Sequence, residues 1–94
     1  MTNEGGQTPA RKEATTMWDK GTIWTENKVG YDYWVKHYDE GSEFGIDKGR
    51  ISKLEIRRHG ESKTLVNYDR GWDIEVPDND DIKAVYAILI KKYN

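Results

Sequence analysis

Val29-Gly-Tyr-Asp-Tyr-Trp-Val-Lys-His-Tyr38 decides the fold. A strand sends alternate side chains to opposite faces. Val29, Tyr31, Tyr33 and Val35 therefore line one face, with His37 at its end. Asp32, Trp34, Lys36 and Tyr38 line the other. One face can enter a core while the second still carries large aromatics. Upstream, residues 21–26 read as a partner strand, with Ile23 on one face and Trp24 on the other. Glu26-Asn27-Lys28 between them suits a hairpin loop. A loop of that length sets Ile23 opposite Tyr31 and Trp24 opposite Gly30, with Trp34 nearby on the diagonal. Apolar residues then meet on the core side, which fixes the register.

Downstream, Asp39-Glu40-Gly41-Ser42 is a turn cluster. Phe44-Gly45-Ile46 reads as a short extended piece. Asp47-Lys48-Gly49 reads as a hairpin loop, with Gly49 available for positive φ. Residues 51–58 form a third long strand: Leu54 and Ile56 face one way, Lys53, Glu55 and Arg57 the other. After a turn at residues 59–62, residues 64–76 alternate again. Val66, Tyr68, Trp72, Ile74 and Val76 share one face; Asn67, Asp69, Asp73 and Glu75 share the other. Arg70 falls on the apolar face and Gly71 follows it, so a bulge or bend is expected there.

Residues 77–94 read as a helix. Ile82, Val85, Tyr86, Leu89 and Tyr93 recur at three- and four-residue steps. Asp78 or Asn79 can cap its start. Asp80 and Asp81 at the first turn, and Lys91 and Lys92 at the last, suit the helix dipole. Ile88 and Ile90 widen the apolar stripe. The expected architecture is α+β: an antiparallel β-meander of four to five strands with one C-terminal α-helix packed on one face. Residues 1–16 hold no aromatic, Val, Ile or Leu and cannot offset their ordering entropy, so they read as a disordered arm. Residues 17–94 make one domain.

Composition narrows the function classes. Fifteen basic and seventeen acidic residues are interspersed, giving a net charge of −2, which is not the basic stripe of a general nucleic-acid binder. There is no Cys, so there is no disulfide framework and no thiolate chemistry. No signal peptide and no membrane span are expected, and the cytoplasm is the expected compartment. The two His residues do not suggest a metal site, and neither acidic cluster, around Asp39 or around Asp80, has the alternating ligand spacing of a calcium loop. No phosphate loop, dinucleotide fingerprint or nucleophile elbow is present. The expectation is no catalytic residue, no metal and no cofactor.

Asn67-Tyr-Asp-Arg-Gly-Trp-Asp73 is the densest polar-aromatic cluster. Arg70 offers a planar donor fork, and Tyr68 and Trp72 offer flat surfaces. The plainer reading pairs Arg70 with Asp69 or Asp73 and puts the aromatics in the core. This segment and Ser42–Arg58, Ser-Glu-Phe-Gly-Ile-Asp-Lys-Gly-Arg-Ile-Ser-Lys-Leu-Glu-Ile-Arg-Arg, resemble a small domain of unknown function found in Gram-positive bacteria and their phages. The resemblance spans about residues 17–93. It implies a phage or mobile-element accessory protein and carries no catalytic residues. Together these readings suggest a non-enzymatic protein-binding module, one that inhibits or modulates a host protein. Its binding residues are expected to be Trp24, Trp34, Lys36, Tyr38, Arg70 and Trp72. The alternative is a sheet that binds nucleic acid through exposed aromatics and cations. The two sheet edges leave monomer and homodimer both open.

Overall fold

A computed structural model describes residues 16–94. Residues 1–15 of the expected arm lie outside the described residues, and Thr16 opens the first strand. Strands β1 (Thr16–Trp24), β2 (Gly30–Tyr38), β3 (Ile51–Arg58), β4 (Thr64–Asp69) and β5 (Trp72–Ile74) pair antiparallel in chain order. Helix α1 (Asp80–Tyr93) packs on one side. The α+β meander expected from the sequence is the fold observed.

The first hairpin keeps the register its loop demands: Ile23 faces Tyr31 and Trp24 faces Gly30. Trp34, however, sits opposite Lys20 and not on the diagonal of Trp24. β1 starts five residues earlier than expected. The charged pair Asp19-Lys20 hides this strand in the sequence; Asp19 is tolerated on the helix side because His37 bonds it, Nε2 to Oδ2 at 2.9 Å.

The helix side of the sheet contributes Tyr31, Tyr33, Val35, Leu54, Ile56, Val66 and Tyr68 to the core, and α1 contributes Ile82, Val85, Leu89 and Tyr93. Burying each of these aliphatic side chains stabilises the fold by about 1.5–3 kcal/mol. Asn79 caps the helix, its side chain accepting from the Ile82 amide at 3.0 Å. Ile88 does not widen the buried stripe; it is 49% exposed. At the other end Asn94 donates to the Ile46 carbonyl at 3.0 Å and accepts from the Ile51 amide at 2.9 Å.

Three local expectations are corrected. Phe44-Gly45-Ile46 is not a strand but leads into a 3-10 turn, Ile46–Lys48. Gly49 keeps a negative φ, while Asp47 and Lys48 take φ of 50° and 62°. Glycine is needed at 49 for space, since a Cβ there would collide with the Asn94 amide. Residues 64–76 are not one bent strand. The chain reverses at Arg70, which adopts φ 59°, and β5 returns along β4 with Trp72 opposite Tyr68. That hairpin supplies the fifth strand.

Candidate binding face

The side of the sheet away from α1 has no covering element among the described residues. Its side chains follow from the period of two and the observed register. One cross-strand row runs Trp18, Lys36, Lys53, Asp69. The next runs Lys20, Trp34, Glu55, Asn67, Ile74. A third runs Thr22, Asp32, Arg57, Thr64. Thr16 and Tyr38 close one end and Trp24 and Gly30 the other. Trp18 is 59% exposed and Trp24 61%, whereas Trp34 and Tyr38 are half-buried.

Cations lie against the rings. The Lys36 ammonium is 5.8 Å from the ring centres of both Trp18 and Tyr38. The Arg57 guanidinium lies 5.0 Å from the Trp34 ring centre. Such contacts add about 0.5–1 kcal/mol at exposed sites. Between Trp18, Trp34, Lys53, Glu55, Asn67 and Asp69 the face dips into a shallow depression of about 200 Å³.

The carboxylates of this face are already engaged. Asp32 accepts from Thr22 at 2.6 Å and meets His59 Nδ1 at 2.8 Å. The Thr22 bond first, and then the His59 bond, hold its carboxyl below the usual range. Glu55 accepts from Arg57 and from Thr64, each at 2.6 Å. Burial acts to raise its carboxyl, but the Thr64 and Arg57 bonds together outweigh burial and bring it below the usual value. Asp69 lies 3.8 Å from Lys53 and 3.7 Å from Arg70. Among the described residues, neither Lys20 nor Lys36 has a carboxylate at ion-pair distance.

The structure gathers only part of the expected site. Trp34, Lys36 and Tyr38 share the open face as alternation requires. Trp24 is on that face but at its far end, lying over Gly30 and edge-on to His59 with ring centres 5.5 Å apart. Arg70 falls in the apolar alternation of the sequence, with Asp69 or Asp73 as its expected partner; the partner is Asp69, and the side chain is 68% exposed on the β4–β5 loop. Trp72 is not on the open face. It packs on the helix side against Tyr68 and Tyr86, at ring separations of 5.0 and 5.9 Å. Trp18, Lys20 and Ile74 belong to the open face and were missed. Counting back from Trp24 in steps of two reaches Thr22, Lys20 and Trp18; the signal was present, masked by Asp19. Ile74 could not be found, because a register shift in the β4–β5 pairing turns it to face Asn67.

The helix side holds a buried polar cluster. His37 is buried, bonded to Asp19, with its ring centre 4.8 Å from that of Tyr93. Tyr93 and Tyr33 hydroxyls lie 3.5 Å apart. The bond to Tyr93, ahead of burial, pushes the Tyr33 phenol upward. This is a satisfied core network without an adjacent nucleophile. Among the described residues no group of three or more His, Cys, Asp or Glu side chains could hold a metal ion. No helix among them is long and apolar enough to cross a membrane.

Residues 17–94 match the family model of a domain of unknown function, DUF7678. The chain belongs to this family. No curated protein and no solved structure matches it. In this DUF7678 domain the family match covers all five strands and the helix except the first residue of β1. The open face therefore belongs to the family unit.

Proposed function

We propose that this domain is a non-enzymatic binding module that engages a protein through the open face of its sheet. The reading rests on one observation: Trp18, Trp34 and Tyr38 share a sheet face that no described element covers, and on it Lys36 contacts two of the rings. Aromatic rings beside a cation, rimmed by engaged polar groups, have the make-up of an interface centre. Nucleic acid is the second reading, because exposed rings and cations also bind single strands. Asp32, Glu55 and Asp69, one in each row, argue against it, since each sets a negative charge where a phosphate track would run. In keeping with the resemblance to phage domains, the partner is a host protein that the domain inhibits or modulates in the cytoplasm.

The test is capture of host proteins with wild-type protein and with Lys36→Ala, followed by salt titration of the complex formed. A protein partner lost with Lys36→Ala supports the reading. A nucleic acid whose binding weakens steeply with salt, through counterion release, would replace it by the second.

A further inference from the structure

The two edges of the sheet differ. β5 is three residues long and its pairing is shifted. β1 is nine residues long, has no proline, and pairs with β2 without interruption from Thr16 to Trp24. Among the described residues its outer edge is unpaired, and it exposes Met17, Trp18 and Trp24 at 44%, 59% and 61%. A long edge strand with a row of free backbone groups is a template for another strand. We infer that β1 pairs antiparallel with β1 of a second copy, about a two-fold axis at Gly21, giving a ten-stranded sheet across a homodimer.

The register follows from charge and backbone geometry. The Thr25 amide donates to the Val29 carbonyl at 2.9 Å. Alternate residues of an antiparallel strand turn their backbone groups to the same neighbour. Ile23, Gly21, Asp19 and Met17 thus face β2, and Trp18, Lys20, Thr22 and Trp24 present theirs outward. An axis at Lys20 would set two lysines opposite one another, and an axis at Asp19 two aspartates; like charges directly opposed destabilise a strand pair. An axis at Gly21 avoids both. It sets Trp18 opposite Trp24 of the second copy, and Lys20 opposite Thr22.

Charge complementarity fixes the same choice. Thr22 lies beside Asp32 in its own copy. Lys20, which has no carboxylate partner of its own among the described residues, then extends over the second copy's Thr22 toward its Asp32. The two-fold axis repeats that contact. Gly21 also suits the axis. The pair formed there carries no hydrogen bond, so its Cα atoms come closest, about 4.5 Å apart. The space where a Cβ would stand at residue 21 is filled by the Tyr33 hydroxyl, 2.9 Å from that position.

The test is sedimentation equilibrium of the full chain across micromolar concentrations. Wild-type protein should be a dimer. Thr22→Lys, at an exposed position, places a cation opposite Lys20 of the second copy and should weaken the dimer at least tenfold while the chain stays folded by circular dichroism. Combining Thr22→Lys with Lys20→Glu opposes unlike charges again and should restore the dimer. A monomeric wild type, a Thr22→Lys protein that dimerises as well as wild type, or a double variant without recovery would each overturn the proposal. The outcome is distinguishable from that of the partner-binding reading: Lys36→Ala, on β2 and away from the seam, tests capture alone, whereas Trp18 lies in both surfaces.

Discussion

Asp32 shows how a single residue ties the fold to its solution behaviour. Its carboxyl is held below the usual carboxylate range, by Thr22 first and His59 second. A depressed folded-state value means the ionised form is favoured by folding. The stabilisation is therefore present above the unfolded value of about 3.9 and disappears as pH falls through the lower folded value. Asp32→Asn should flatten the acid limb of a melting-temperature profile below about pH 4. A variant with the same acid limb as wild type would show that the bonds to Asp32 contribute nothing. Gly21 makes a second residue-scale prediction. A Cβ at this position would come within 2.9 Å of the Tyr33 hydroxyl, which is one end of the Tyr33–Tyr93 contact. Gly21→Val should cost about 1–3 kcal/mol by overpacking, read by denaturant unfolding. Gly21→Val with Tyr33→Phe should recover part of that loss; no recovery would place the strain elsewhere.

At the scale of elements, α1 carries the clearest expectation. Leu89 is 1% exposed, at the centre of the stripe that meets the sheet. Leu89→Ala should lower unfolding free energy by about 2–5 kcal/mol. A wild-type melting curve for this variant would mean the helix does not close the core. The elements were unequally legible in the sequence. β2 and α1 have clean periods of two and about 3.6, and each is half-buried, so period and burial agree. β1 was cut short because Asp19 breaks its apolar face; only the His37 contact, distant in sequence, makes that residue tolerable. The 64–76 segment kept its alternation through Trp72, so nothing local distinguished a bend from a full reversal. The positive φ of Arg70, a non-glycine residue next to Gly71, is decided by the hairpin and by its amide donating to Ser52. The site divided along the same line. Trp34, Lys36 and Tyr38 came from a legible strand. Trp18 and Ile74 depended on a strand start and a register shift, while Trp72 keeps the apolar face its alternation gives it and so leaves the binding site.

At the scale of the whole molecule, the sheet is covered on one side only among the described residues. α1 is the sole helix of regular length among the described residues, and it takes the face of Tyr31, Tyr33 and Val35. Trp18, Trp34 and Tyr38 are left on the other. Trp18 is the better probe of that face than Trp34: it is 59% exposed, so its loss removes contact area without opening the core. The most direct measurement of the central claim is titration of the captured partner protein with wild type, Trp18→Ala and Lys36→Ala, at low and at high salt. The account predicts affinity lower by about 1–2 kcal/mol for each variant, roughly 5- to 30-fold, with melting temperatures near wild type and shallow salt dependence. Equal affinity for all three proteins, or a ligand that proves to be nucleic acid released steeply by salt, would contradict it.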